Sequence, residues 1–343
     1  MSGADRAVGR FLLPCDRAGS VPARSVGPTC EQLATPVRSR PAYQRRSAII
    51  CLMASMSRRV LLALATSERF ERAVRALPGG EQVAFRHALR YVAGRERGDA
   101  FVLARRMAGE GIACSIDLFG EGVSGAAEAD RVAEMYVELA LALTEAPPAT
   151  FLSLDLSHIG IDEPGATIRG RLERIAEALP AGARVQIGAE QAQRADQIIE
   201  VVLAVARAGL PVSATAQANL KRTPADASRL AEAGVPIRLV KGAYGEDPAI
   251  AHAWGEPTDL AFLELAHELH GNGAEVALGT HDPVLREALL HSLPDTGVEM
   301  LLGVRPADAH ALAARNVPVR IYIPYGEGWF RYAMRRLAES RKR

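Results

Sequence analysis

The feature that most constrains the fold is a regular alternation of short apolar runs with longer helical runs across residues 113–343. Each apolar run is short and bounded by polar or turn residues, as expected for a strand. Each is followed by a stretch with apolar residues every three or four positions, which is typical of an amphipathic helix. The strand candidates are residues 113–121, 150–160, 184–190, 212–220, 236–244, 275–283, 298–304 and 317–326.

Eight strand–helix units predict parallel strands with right-handed crossovers, and their number matches a (β/α)₈ barrel. An open, doubly wound sheet is the alternative. It would usually carry a glycine-rich fingerprint after its first strand. Gly120, Gly122 and Gly125 of "DLFGEGVSG" at 117–125 do have the GxGxxG spacing, but one such match is a weak signal, and the eight strand–helix units favour the barrel. We therefore predict an α/β protein with a (β/α)₈ barrel over residues 113–343, preceded by N-terminal helices in residues 56–112.

The N-terminal stretch differs in composition from the rest of the chain. Residues 1–59 contain ten arginines and three acidic residues, with no sustained apolar period. Such a segment buries little apolar surface. We predict that residues 1–55 are a disordered extension or follow from a misassigned start, with Met53 or Met56 as the true start. A transit peptide is the other interpretation, because the segment is rich in arginine and serine.

Composition excludes several classes of protein. The formal net charge of +1 argues against a nucleic-acid partner. The longest apolar candidate, residues 48–54, is far too short to span a bilayer. The four cysteines form no CxxC pair, which suits a reducing compartment. We expect a cytoplasmic protein; peripheral contact with the inner face of the membrane and the oligomeric state stay open.

Polar side chains collect at the carboxyl ends of the strand candidates, where a barrel builds its active site. There is no GxSxG, no HExxH and no carboxylate cluster with metal-ligand spacing, so we predict no metal site. What stands out is a set of cations that suits an anionic ligand such as a phosphate or a carboxylate. The set consists of Arg238, Lys241, Arg335 and Arg336. For the two adjacent arginines, the alternative is a surface ion pair with Glu339.

Two motifs resemble those of proline dehydrogenases. "RLVKGAY" at 238–244 is similar to the fifth-strand motif of that family, and "RIYIPYGEGWFRYAMRRLAE" at 320–339 is similar to its last strand and helix. The spacing from Tyr322 to Arg335 matches the monofunctional members. The resemblance covers about residues 60–343, and four further motifs follow in the same order: "SIDLFGE", "QANLKRT", "GTHD" and "EMLLGVRP".

The resemblance implies an FAD-dependent barrel enzyme that oxidises L-proline to 1-pyrroline-5-carboxylate, in proline catabolism. Hydride would pass from proline C5 to flavin N5, and a quinone or another acceptor would reoxidise the flavin. The implied cofactor contacts are Gln217, Arg238, Lys241, Gly242, Thr280 and His281. The implied substrate contacts are Tyr244, Tyr322, Arg335 and Arg336, with Glu339 supporting the arginines. Arg238 and Tyr322 are also candidate catalytic residues. We expect Tyr322 to end the eighth strand, and Tyr332 to pack the last helix as a core residue rather than to act in catalysis.

Two strand ends depart from the family pattern. The family's second strand ends in S-[IV]-K-L, whereas "SLDLS" places Asp155 at the lysine position. The third strand carries D-x-E in the family, but "IGAEQ" has Gly188 in place of the aspartate and retains Glu190. Because adjacent strands lie only ~4.8 Å apart, Asp155 is our third catalytic candidate, taking over for the missing carboxylate.

Alternative functions follow from the same departures. A gap at Gly188 would admit a bulkier imino acid, such as hydroxyproline or an N-alkyl amino acid. A non-catalytic homologue that binds a flavin or an amino acid is a second alternative. A different flavin barrel, of the methylenetetrahydrofolate reductase kind, would have no use for the paired arginines.

Overall fold

The computed structural model describes residues 64, 67–120, 123 and 125–340. The extension predicted over residues 1–55 lies outside the described residues. Eight parallel strands form a closed barrel in chain order, which confirms the predicted barrel and excludes the open sheet. The strands are β1 Ala113–Leu118, β2 Phe151–Leu154, β3 Val185–Ile187, β4 Val212–Gln217, β5 Ile237–Val240, β6 Val276–Gly279, β7 Gly297–Leu301 and β8 Val319–Tyr325.

Helices surround the barrel and also precede it. Among the described residues, three helices with defined bounds lie before β1, in the region where N-terminal helices were predicted: α1 Glu68–Ala76, α2 Gly80–Ala88 and α3 Arg97–Gly109. The helices that follow successive strands are α4 Ala126–Ala142, α5 Gly165–Glu177, α6 Ala195–Arg207, α7 Thr223–Glu232, α8 Glu256–Gly271, α9 Pro283–Ser292, α10 Pro306–Ala314 and α11 Trp329–Glu339. Short 3₁₀ turns occupy Leu143–Glu145, Leu156–Ile159 and Ala192–Arg194.

Most strands are shorter than their apolar runs suggested, because the chain leaves the sheet as soon as polar residues begin. The run at 150–160 contributes only β2, and a 3₁₀ turn starts two residues later. β8 is different, and the expectation that it ends at Tyr322 was wrong. It continues to Tyr325 because it pairs with β1 along its whole length, from Ala113 opposite Arg320 to Leu118 opposite Tyr325.

The barrel interior is polar at mid-height. Arg238 on β5 contacts Glu299 on β7, and a contact between non-adjacent strands must cross the interior. Glu299 also lies 3.8 Å from the guanidinium of Arg320 on β8. Buried charges need compensating partners, because their desolvation is costly. The apolar core lies instead between strands and helices, where Ile321 and Ile323 of β8 are buried.

The N-terminal helices hold α11 in place. Trp329 at the start of α11 is buried, and its ring meets Phe85 of α2 at a centroid distance of 5.0 Å. Phe330 packs on Phe70 of α1 at 6.0 Å. Arg331 is paired with Glu68 of α1 at 3.0 Å. The helix that carries the paired arginines therefore depends on a separate small core formed with α1 and α2.

Replacing Trp329 by alanine should lower the free energy of unfolding by about 3–5 kcal/mol, because it empties the centre of this small core. Urea denaturation of the purified variant measures the change. Val102→Ala, on the exposed face of α3, is the matched control and should change stability by less than about 0.5 kcal/mol. Equal stability of the two variants would show that α11 does not depend on this contact.

Candidate active site

The carboxyl ends of the strands surround a cavity of about 700 Å³. Residues from all eight strands or the loops that follow them line it, together with side chains of α11. It brings together ten of the twelve predicted site residues: Asp155, Gln217, Arg238, Lys241, Gly242, Thr280, His281, Tyr322, Arg336 and Glu339. Tyr244 and Arg335 are half-buried and do not line it.

Arg238 reaches into the cavity from β5 with its guanidinium held at a fixed angle. Its Nε and Nη2 donate to Thr215 Oγ1 at 3.1 and 2.9 Å, and Nη1 lies 3.4 Å from Glu299 Oε2. The Thr215 hydroxyl in turn donates to the Ile187 carbonyl at 2.7 Å. Sequence reasoning missed Thr215 and Glu299, since each reads as an ordinary residue within a strand. Together they hold a cation at the cavity wall.

Lys241 follows β5 and lies between two carboxylates. Its Nζ is 2.6 Å from Asp259 Oδ1 and 3.0 Å from Asp282 Oδ2. Burial lowers the pKa of Lys241, but the two carboxylates outweigh burial and leave the pKa raised. The other oxygen of Asp282 caps α9 by accepting from the backbone N–H groups of Val284 and Leu285. The ammonium is therefore fixed at the N-terminus of a helix.

His281 is neutral and its tautomer is defined. The backbone N–H of Leu301 donates to His281 Nε2 at 2.9 Å, so Nε2 is an acceptor and the ring hydrogen is on Nδ1. Burial, and then the positive charge of Arg336, lower the pKa of His281 to about 4. The ring thus presents an N–H donor near neutral pH without adding a charge. Gln217 is fixed in a similar way, since its amide donates to the Glu190 carbonyl at 2.8 Å.

The backbone conformation of Gly242 would be strained for any other residue. Its φ is 114°, and an added Cβ would lie 2.1 Å from Asn219 Oδ1. That oxygen is buried and accepts no hydrogen bond from the described residues. The glycine therefore keeps the backbone accessible along one wall of the cavity.

A hydrogen-bond network closes the floor of the cavity beneath Tyr322. The Tyr322 hydroxyl donates to Asp117 Oδ2 at 2.5 Å, and the Tyr136 hydroxyl lies 3.0 Å from Asp117 Oδ1 and 3.2 Å from His158 Nδ1. Burial, followed by the charge of Asp117, raises the pKa of Tyr322 well above its usual range. Tyr322 therefore stays protonated. Nothing in the sequence pattern pointed to Tyr136, because it occupies an ordinary core position in α4.

Helix α11 contributes a further cation to the cavity lining, Arg336. Arg336 Nη2 donates to Glu339 Oε1 at 2.8 Å, and the guanidinium carbon lies 5.2 Å from the centre of the Tyr332 ring. Arg336 Nε is buried and has no partner among the described residues. Tyr332 belongs to the α11 core, as predicted, and it also lines the cavity.

The gap expected at Gly188 is filled. A Cβ added to Gly188 would lie 1.7 Å from Asp155 Oδ1 and 2.9 Å from its Cγ. The carboxylate of Asp155 therefore occupies the space that a side chain at position 188 would take. The expectation that this position could admit a bulkier ligand was wrong for that reason.

Comparison with known proteins identifies the family. The family model described as proline dehydrogenase matches residues 102–343. This chain belongs to the proline dehydrogenase family. Proline dehydrogenase 1 of Bacillus subtilis strain 168 is 32% identical over 260 residues, covering 74% of this chain and 86% of that protein. The proline dehydrogenase of Deinococcus radiodurans is 32% identical over 268 residues, with the same coverage of 74% and 86%.

Solved structures of larger proteins share the fold. Proline utilization A (PutA) from Bdellovibrio bacteriovorus, inactivated by N-propargylglycine, aligns with a TM-score of 0.70 at 18% identity over 87% of this chain. PutA from Corynebacterium freiburgense aligns with a TM-score of 0.62 at 20% identity over 82%. The chain spans 40% and 33% of the length of those two proteins.

Membership of the proline dehydrogenase family makes this chain an oxidoreductase acting on a CH–NH group, with a small-molecule substrate and an electron acceptor. Within the part of the chain that the structure describes, no group of three His, Cys, Asp or Glu side chains could hold a metal ion. In that same part, no helix is long and apolar enough to cross a membrane.

Acid should destabilise this proline dehydrogenase-family chain through His281. The pKa of His281 is about 4 in the folded protein and 6.5 ordinarily, so only the unfolded chain binds this proton between those values. Stability from this group is complete above about pH 6.5 and is lost as pH falls towards 4, by roughly 3 kcal/mol at most.

Denaturation midpoints across this pH range, compared between wild type and His281→Gln, measure the effect. The variant should show a shallower decline, whereas His270→Gln on the exposed surface of α8 should decline as the wild type does. Parallel curves for wild type and His281→Gln would show that His281 does not titrate in this way.

Proposed function

We propose that this chain catalyses the FAD-dependent oxidation of L-proline to 1-pyrroline-5-carboxylate and passes the electrons to a quinone or another acceptor. The observation that carries the proposal is a single cavity whose strand-end wall holds Arg238, Lys241 and His281, and whose α11 wall holds Arg336. The first wall suits a cofactor with several anionic and acceptor atoms. The second suits a substrate carboxylate.

The residues present fit FAD. A volume of about 700 Å³ lies within the usual range of cofactor pockets, ~300–1,000 Å³. Arg238 and Lys241 offer positive charge, His281 offers a neutral N–H donor, and Gly242 leaves backbone accessible. We assign these four residues, with Gln217 and Thr280, to cofactor binding. When bound, FAD supplies a two-electron acceptor for the substrate hydride.

Arg238 supports the reaction by holding positive charge in place. Its guanidinium is already fixed by Thr215 and Glu299, so little reorganisation is needed when negative charge develops nearby. Glu299 is half-buried in the barrel interior, and its carboxylate compensates the charge of Arg238, which would otherwise be costly to bury. We assign Arg238 a catalytic role on this basis.

Arg336 binds the substrate carboxylate in this proposal. Its Nε is buried without a partner among the described residues, which leaves a donor available in a half-buried cation. Glu339 and the Tyr332 ring orient the guanidinium. Arg335 precedes it on α11, and we propose that it completes the clamp. Tyr244 stays a predicted substrate contact.

Tyr322 acts as a positioning residue rather than as a base. Its raised pKa keeps the hydroxyl protonated, and the hydrogen bond to Asp117 fixes its direction. The ring of Tyr322 lies 6.2 Å from that of Tyr332. The two rings form an apolar boundary suited to the methylene groups of a small ring substrate.

Electron transfer out of the site needs an acceptor to approach the cavity. Trp254 lines the cavity and is half exposed, so an apolar ring at the mouth is available to a quinone-type acceptor. Peripheral contact with a membrane would follow from such an acceptor, and it stays a prediction together with the oligomeric state.

Anaerobic addition of L-proline to the purified protein should bleach the yellow flavin spectrum, because the substrate hydride reduces the bound cofactor. A visible absorbance titration measures this. Bleaching by hydroxyproline or an N-alkyl amino acid alone would overturn the choice of substrate, and no bleaching by any of them would favour a binding homologue.

Arg336→Ala should raise KM for proline by roughly 30-fold or more, because a buried carboxylate would lose its charged partner. Arg331→Ala is the matched control. Arg331 lies on the same helix and is paired with Glu68 on the outer side. It should leave KM within about 2-fold of the wild type. Equal KM values for the two variants would contradict the carboxylate clamp.

A further inference from the structure

Asp155 and Gly188 are neighbours across two strands. Leu154, the last residue of β2, pairs with Ile187, the last residue of β3. The next backbone contact continues this register, because Gly188 N–H donates to the Leu154 carbonyl at 2.9 Å. Asp155 and Gly188 therefore leave the sheet side by side, and both line the cavity.

The side chain of Asp155 occupies the space that a side chain at position 188 would need. Its Oδ1 lies 1.7 Å from the point where a Cβ at position 188 would be, closer than any two such atoms can approach. Gly188 does not have a positive φ, so its backbone would suit other residues. Glycine is required at position 188 because the Asp155 carboxylate occupies the space of a Cβ, and not because of the backbone conformation. The two residues form one unit: a carboxylate carried by β2 and presented beside β3.

The cavity is lined by charges of both signs that come from different elements. Arg336 stands on α11, whereas Asp117 and Asp155 stand at the ends of β1 and β2. Both oxygens of Asp117 are engaged, one with the Tyr136 hydroxyl and the other with the Tyr322 hydroxyl. The charge of Asp155 also helps to raise the pKa of the Tyr322 hydroxyl. Its contribution is smaller than those of burial, Asp117 and Tyr332. A second carboxylate thus faces the ligand space near Tyr322.

We propose that Asp155 recognises the secondary ammonium of the imino acid, and that Gly188 is glycine so that this carboxylate can reach it. The inference rests on the proposed function, because it needs a zwitterionic substrate whose carboxylate is bound on the α11 side. A carboxylate and a guanidinium that line the same cavity match the two charges of such a ligand and fix its orientation.

The charge of the substrate nitrogen provides a test. Tetrahydrofuran-2-carboxylate has the ring and carboxylate of proline, but an ether oxygen replaces the ammonium. In the holoenzyme, Asp155→Asn should lower kcat/KM for L-proline by about 30-fold or more, since one charged partner is lost. The inhibition constant of the ether acid should change by less than about 3-fold, since that ligand has no cation to pair. A purely structural role would weaken both ligands equally, and that result would overturn the proposal.

A double-mutant cycle tests the pairing with Gly188. Gly188→Ala places a methyl group on Asp155 Oδ1 and should displace the carboxylate, giving the same proline-selective loss as Asp155→Asn. In an Asp155→Ala background the same Gly188→Ala change should alter kcat/KM by less than about 2-fold, because nothing is left to displace. If the single variant folds poorly, the double variant should regain wild-type flavin content. Equal losses from Gly188→Ala in both backgrounds would overturn the pairing.

The outcomes separate this inference from the proposed function. A wild-type holoenzyme that L-proline does not reduce would overturn the function. A holoenzyme that L-proline reduces, with Asp155→Asn affecting proline and the ether acid alike, would overturn only the role of Asp155.

Discussion

The pairing of β8 with β1 is the constraint on which the rest of the structure depends. It closes the barrel through six pairs of residues, from Ala113 opposite Arg320 to Leu118 opposite Tyr325. This register brings Asp117 and Tyr322 together although they are 205 positions apart in the chain. Because α11 begins four residues after β8 ends, the same closure delivers Arg336 to the cavity. A shift of one residue would turn every β8 side chain to the other face and separate both groups from their partners.

The position of the site could be predicted from the sequence, because parallel strands bring their carboxyl ends to one end of a barrel. A polar residue just after an apolar run is therefore placed near the other strand ends before any coordinates are known. Gln217, Lys241, Thr280 and His281 line the cavity for this reason. This argument needs only the position of a residue along its strand and not the direction of its side chain, so it predicted the location of these four residues.

The residues that sequence reasoning missed are those whose role comes from contacts across the barrel or between layers. Thr215 and Glu299 lie within strands and matter because both hold Arg238. Tyr136 lies on an ordinary helix face and matters because its hydroxyl reaches Asp117. Tyr332 serves both a core and a cavity. For Gly188 the sequence allowed either a gap or a substitute carboxylate, and only the direction of the Asp155 side chain separates the two.

The site combines a fixed guanidinium on β5 with a neutral imidazole just after β6. Charges of opposite sign, on α11 and just after β2, match a zwitterion. The central claim is that this arrangement removes hydride from the carbon next to the substrate nitrogen. Rapid mixing of the oxidised holoenzyme with L-proline deuterated at C5, without oxygen, tests it most directly. The account predicts flavin reduction that is several-fold slower than with ordinary proline. Reduction at the same rate with both, under conditions where the chemical step limits the rate, would contradict it.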